Sequence, residues 1–241
     1  METPARVRAV AIDLFHTIVD PEDFRPRDFI RTREIAKLLG VPSNEFEPYW
    51  AADLPERTVS GTPSVTHRVK RFCSERGLSP PETVWAEVTD VLGRYADLAI
   101  RNPRKSILDS LRQLRERGFT LGIVSNCDER EVWAWSGSDL AALFDAVVFS
   151  FEVGVAKPAV ETFQALVPRW GQIPLRDAIF VGDGSNDELA GARRAGFSQV
   201  IFDGEFVSQN GLRSAEASDR LRAEADRSIR RLGELVSILA R

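Results

Sequence analysis

Residues 7–17 read V-R-A-V-A-I-D-L-F-H-T, an apolar run rich in valine that stops abruptly at Asp13. A run of this length fits a strand buried on both faces, as in a parallel sheet. A carboxylate at the C-terminal edge of such a strand lies where open α/β sheets bind ligands. Taken alone, Asp13 reads as well as a turn cap. The residues that separate the two readings lie more than a hundred positions downstream.

Further short apolar runs occur at 119–124, 146–150, 178–181 and 199–202. Helical periods alternate with them at 104–117, 140–144, 159–167 and 188–195. Such alternation predicts an α/β, Rossmann-like core, a parallel sheet with helices on both faces. The end of the chain, 214–239, reads as helical and charged, with Leu221, Ile229, Leu232, Leu235 and Leu239 as a packing stripe.

Between residues 20 and 100 the texture differs. Helices are expected at 28–39, 43–52, 64–75 and 81–99, and no strand pattern stands out. Gly40 and Gly77 suit C-terminal stops and Pro81 a first helical position. The domain reading is therefore a core from 1–19 and 101–241, interrupted by a helical insertion from 20–100.

Composition narrows the class. A net charge of -4 argues against nucleic-acid binding, which leaves a basic footprint. No apolar stretch approaches the roughly 20 residues that span a bilayer. The polar N-terminus lacks the apolar core of a signal peptide, and two cysteines are too few for a disulfide framework. A cytoplasmic protein with no membrane or nucleic-acid partner is expected. Oligomeric state is not legible.

Three other strand ends carry polar groups. Ser125-Asn126 offers a hydroxyl and backbone amides to an anion. Asp128 and Glu131 have capping-box spacing, so a helix is expected to open there. Lys157 precedes Pro158 at the edge of the sheet, where it can neutralise a phosphate or hold a carboxylate. Lysine is scarce here, with only Lys37, Lys70, Lys105 and Lys157 in the chain. Loop 182–187, G-D-G-S-N-D, sets Asp183 and Asp187 four residues apart before a helix. Such oxygen ligands suit a hard cation such as magnesium, and the EF-hand spacing is absent.

In this order and at these strand ends, the four motifs resemble those of the haloacid dehalogenase superfamily of hydrolases with a helical cap after the first motif. The motifs are Asp13-Leu14-Phe15-His16-Thr17, Ser125-Asn126, Lys157-Pro158, and loop 182–187 with Gly191-Ala192 and Gly196. The resemblance implies that Asp13 attacks phosphorus in a small phosphorylated substrate and forms an aspartyl-phosphate. It implies Mg2+ held by Asp13, the carbonyl of Phe15 and Asp183, with Asp187 in support. Thr17, Ser125 and the amide of Asn126 would bind phosphate, and Lys157 would offset the crowded negative charge.

One position departs from the pattern. Phosphatases of this superfamily carry an acid/base aspartate where this chain has Phe15. Dehalogenases carry an aromatic residue there and use no metal. Phosphonatases use magnesium and a cap lysine, for which Lys37 and Lys70 are the candidates. A phosphatase is the first reading; a dehalogenase, a phosphonatase or a non-catalytic ligand-binding member are the alternatives. His16 reads either as the missing acid/base or as a structural residue. Arg25, Arg27, Arg31, Arg57 and Arg68 are available to anionic groups or form a solvated face.

Overall fold

The computed structural model describes residues 7–52 and 64–239. Its sheet has six strands: β1 (Ala9–Ile12), β2 (Thr120–Ser125), β3 (Ala146–Phe149), β4 (Ala178–Gly182), β5 (Gln199–Asp203) and β6 (Arg227–Ile229). They lie in the order β3-β2-β1-β4-β5-β6, and every neighbouring pair is parallel.

β1 is central because both of its faces are apolar. Val10 and Ile12 enter one buried cluster with Ile123 and Val181, while Ala9 and Ala11 enter another with Val124 and Phe180. This is the two-residue alternation of a strand. Strand order runs outward from β1 in both directions, so the connections diverge between β1 and β4, where such sheets form a ligand crevice. Ile12 is level with Ile123 of β2 and Val181 of β4. That register brings Asp13, Ser125 and Asp183 to one edge.

After β1 come four helices that pack on one another: α1 (Arg31–Leu39), α2 (Ser43–Ala52), α3 (Val65–Glu75) and α4 (Glu82–Arg101). No strand of the sheet lies between them among the described residues. They bury a cluster of their own that includes Ile35, Phe46, Val69, Phe72 and Leu92. Gly40 closes α1 in the left-handed region at φ 71°, and the Ser64 side chain caps α3 by accepting from the His67 amide.

The remaining helices are α5 (Lys105–Glu116), α6 (Ser150–Val153), α7 (Val160–Gln164), α8 (Leu166–Arg169), α9 (Glu188–Ala195), α10 (Glu205–Asn210), α11 (Ala215–Glu224) and α12 (Glu234–Ile238). α5 packs Ile107, Leu111 and Leu114 on the face of Val10 and Ile12. α7, α8 and α9 pack Phe163, Leu166, Leu189 and Ala192 on the other. The expected α/β core with helices on both faces is present.

Two local expectations fail. The stretch 214–239 is not one helix, because β6 interrupts it and pairs with β5 from Arg227 to Ile229. Only Ile229 of that strand is buried. An exposed edge strand of three residues has no alternation to read, so the leucine spacing suggested a helix. The capping box at Asp128 does form: its Oδ1 accepts from the amides of Arg130 and Glu131, and Glu131 Oε2 accepts from the Asp128 amide. Turns follow it, however, and then a short 3-10 segment at Trp135–Gly137 rather than an α-helix. No helix among the described residues is long and apolar enough to cross a membrane.

Candidate active site

The C-terminal ends of β1 and β4 place Asp13 and Asp183 side by side, and the first turn of α9 adds Glu188. Oxygens of these three carboxylates lie within 4.8 Å of one another, and all three residues are buried. Lys157 reaches into the cluster. Its Nζ donates to Asp13 Oδ1 at 2.6 Å and to Glu188 Oε2 at 2.5 Å. Asn126 fixes the lysine backbone: its Nδ2 donates to the Lys157 carbonyl at 2.9 Å, and its Oδ1 accepts from the Lys157 amide at 2.7 Å. The Asn126 side chain thus positions Lys157, a role additional to the amide role expected of it.

Burial dominates the electrostatics. It raises the pKa of Asp13, with Asp183 adding to the effect and Lys157 opposing it. Burial also pushes Glu188 well above the carboxylate range, again with Asp13 adding. For Lys157, burial alone would lower the pKa, but the charges of Asp13 and Glu188 more than offset it. Asp183 is held by a second cation. Its Oδ1 accepts from the Ser185 amide at 3.0 Å, and its Oδ2 from the Ser185 hydroxyl at 2.8 Å and from Arg213 at 3.0 Å. Three buried carboxyl groups therefore meet two cations, Lys157 and Arg213, and the raised pKa of Asp13 and Glu188 reflects that crowding. A crowded cluster of hard oxygen donors fits a divalent cation such as magnesium.

A cavity of about 280 Å³ opens beside the cluster, lined by Asp13, Phe15, His16, Ser125, Asn126 and Lys157 among others. The Ser125 hydroxyl is buried and finds no hydrogen-bond partner among the described residues. Thr17 Oγ1 is likewise buried and unpartnered, but Thr17 does not line the cavity. His16 sits at a tight turn with φ 60°. Its Nδ1 lies 3.0 Å from Asp20 Oδ1, and Asp20 Oδ2 accepts from Asn210 at 2.7 Å. Burial works against a charged imidazole, but the Asp20 carboxylate beside it raises the His16 pKa overall.

Asp187 is not part of the cluster. Asn186 and Asp187 both adopt left-handed backbone, at φ 53° and 52°, and this turn leaves Asp187 exposed while bringing Glu188 inward. Glu188 Oε1 also accepts from the Gly184 amide at 2.8 Å. Gly182 makes room for it, since a Cβ there would lie 2.2 Å from Glu188 Oε1. A signal for Glu188 was present in the sequence: it shares a helical face with the small residues Gly191 and Ala192, which pack inward. Arg213 gave no signal, because it approaches Asp183 from a loop thirty residues on.

Asp187→Ala is expected to change kcat/KM by less than about threefold, the scale of an exposed substitution. Glu188→Gln is expected to lower it by roughly 10- to 100-fold, as when a supporting partner of a metal or charge site is lost. Steady-state kinetics of the two variants reads the difference, and the reverse ranking would return the role to Asp187.

Of the other sequence candidates, Lys37 and Lys70 are exposed and neither lines the cavity. Arg25 and Arg31 line it, Arg27 is exposed, Arg68 is fully buried, and Arg57 lies outside the described residues. Trp135 is buried against Phe144 and Phe149, whereas Trp133 is exposed beside the Arg130 guanidinium.

Residues 7–196 match the family model of the haloacid dehalogenase-like hydrolases. The chain is 31% identical to a glyceraldehyde 3-phosphate phosphatase of Methanothermobacter thermautotrophicus, over 86% of this chain and 93% of that one. It is 27% identical to an (S)-2-haloacid dehalogenase of Pseudomonas putida, over 79% of this chain and 77% of that one. Its fold is similar to that of a phosphatase from Thermococcus onnurineus, with a TM-score of 0.67 at 23% identity, covering 97% of this chain and 98% of that one. With the family model spanning the four motifs and the first four strands of the sheet, this chain belongs to the haloacid dehalogenase-like hydrolases.

Proposed function

We propose that this hydrolase is a magnesium-dependent phosphatase of a small phosphorylated metabolite, with Asp13 as nucleophile. One observation carries the reading: Asp13, Asp183 and Glu188 are buried together, with carboxyl oxygens within 4.8 Å of one another. Displacement of a halide needs a single carboxylate nucleophile and gains nothing from that crowd. A magnesium ion held by Asp13, Asp183 and the carbonyl of Phe15 would offset that crowding. Ser125, whose hydroxyl has no partner, and the amide of Asn126 bind phosphate oxygens, with Thr17 behind them. Lys157 opposes the rise in the Asp13 pKa and aims its carboxylate. Residues 20–100 act as the cap. The buried, unpaired Cys73 and Cys127 accord with a cytoplasmic setting.

In this reading an oxygen of Asp13 forms a bond to phosphorus as the bond from phosphorus to the leaving oxygen breaks. Water then attacks the aspartyl-phosphate and releases inorganic phosphate. Positioning and charge stabilisation supply most of the rate. The test is a panel of phosphate esters assayed with magnesium and with chelator. Hydrolysis that needs magnesium supports the reading. Halide release from 2-chloropropionate that survives chelator would replace it, and a folded protein that hydrolyses no ester would end it.

Phe15 carries no proton to donate, so the leaving oxygen needs another acid. His16 fills this place in the proposal, because it lines the cavity and Asp20 orients its ring as a triad carboxylate would. Loss of a positioned general acid typically lowers the rate by about 10²- to 10⁴-fold. His16→Gln should show that loss on an alkyl phosphate and much less on p-nitrophenyl phosphate, whose leaving group departs unprotonated. Equal losses on the two esters would mean a structural role.

A further inference from the structure

Beyond the carboxylate cluster, the same cavity is lined by Arg25, from the segment after β1, and Arg31, at the start of α1. At about 280 Å³ the cavity is at the small end of ligand sites, so a ligand in contact with Asp13 comes within reach of both guanidinium groups. Lys157 cannot serve a second anion, because its ammonium already joins Asp13 and Glu188.

The two arginines are not used up by their neighbours. Arg25 gives one nitrogen to Glu22 at 2.5 Å and stands 6.0 Å from the centre of the Tyr95 ring, which fixes its direction. Its Nε is buried and finds no acceptor among the described residues. A buried donor without a partner is costly, so packing alone leaves it unexplained. Arg31 faces Glu131 at 3.5 Å, the outer limit of a hydrogen bond. Both side chains are about three-quarters buried, at 27% and 24% exposed, unlike a freely solvated surface arginine. Guanidinium forks match the planar, multiple oxygens of a carboxylate or phosphate.

We infer that Arg25 and Arg31 form a second anion subsite, so that the substrate carries a carboxylate or a second phosphate a few atoms from the phosphate attacked by Asp13. The inference deepens the phosphatase reading and rests on it for the identity of the first anion. It narrows the substrate class to phosphocarboxylates and bisphosphates with a short carbon chain, and it sets neutral sugar-like monophosphates apart as poor ligands.

The test reads binding, so it does not depend on turnover. Calorimetry on the full chain compares propylphosphonate, 3-phosphonopropanoate and propane-1,3-bisphosphonate, each with magnesium present. The expected result is that one or both doubly anionic ligands bind roughly 10- to 100-fold tighter than propylphosphonate, the scale of one or two hydrogen bonds to a charged group. Whichever of the two is favoured names the second anion as carboxylate or phosphate. In Arg25→Gln/Arg31→Gln that ratio should fall towards one. Arg31→Gln alone should remove part of it, and it leaves the Arg25 contacts with Glu22 and Tyr95 intact should the double variant fail to fold. Equal binding of all three ligands by the wild type would overturn the inference, as would an unchanged ratio in the variants. Failure of every ester to hydrolyse, with the binding preference intact, would overturn the phosphatase reading and leave the subsite standing.

Discussion

Asp13→Asn is expected to lower kcat by on the order of 10⁴-fold or more, as when a covalent nucleophile is removed, while the protein stays folded. An amide oxygen cannot take the place of a carboxylate in forming the aspartyl-phosphate. Stability should change little, because two effects of the carboxylate oppose each other. Asp13 attracts Lys157 at 2.6 Å, but it also adds to the negative charge that already crowds Asp183 and Glu188. Asparagine has nearly the same shape and removes both effects together. The measurements are kcat on the best ester of the panel and a thermal melt. Trapping with beryllium fluoride gives an independent readout, since the aspartyl-phosphate analogue should form on the wild type and not on the variant. Turnover surviving in Asp13→Asn would move the attacking group elsewhere and take the covalent mechanism with it.

Much of this site can be read in the sequence because three of its parts end apolar runs. Asp13, Ser125 and Asp183 each end or follow a short stretch whose burial is evident from residue type alone, and Lys157 stands out as one of only four lysines. Parallel pairing then brings the strand ends together without any further information. What could not be read depends on backbone turns and on distant partners. The helical face shared with Gly191 and Ala192 points to Glu188, but two consecutive left-handed residues, Asn186 and Asp187, shift the inward position by one from Asp187. Left-handed backbone at non-glycine residues leaves little trace in sequence. The His16–Asp20 pair is hidden in the sequence for a related reason. In a helix that spacing of four would be a routine neighbour pair, but here it spans a turn after a strand, with Asn210 tied in from the far side of the chain. Arg213, from the loop before α11, is legible only once the fold is known.

The largest expected loss of stability follows from the same geometry. Lys157→Ala should destabilise the protein by about 3–5 kcal/mol, the usual consequence of removing one partner from a buried ion pair. At roughly 2–4 °C per kcal/mol for a chain of this size, the melting temperature should fall by about 6–20 °C. Lys157 is 5% exposed and Glu188 fully buried, so water cannot replace the ammonium. Removing it leaves Asp13 and Glu188 without a counter-charge in a region that already holds Asp183. Alanine also leaves a cavity, so Lys157→Met is the control that keeps most of the volume and removes only the charge. If charge is the cause, Lys157→Met should lose nearly as much as Lys157→Ala, and adding Glu188→Gln to it should restore a large part. Contacting residues are where such non-additivity is expected. Added magnesium should stabilise Lys157→Met more than the wild type, because a divalent cation then supplies the charge that the lysine no longer provides. A melting temperature for Lys157→Met equal to that of the wild type would show that the three carboxylates do not need the ammonium to stay buried together. In that case Lys157 would serve the incoming phosphate alone.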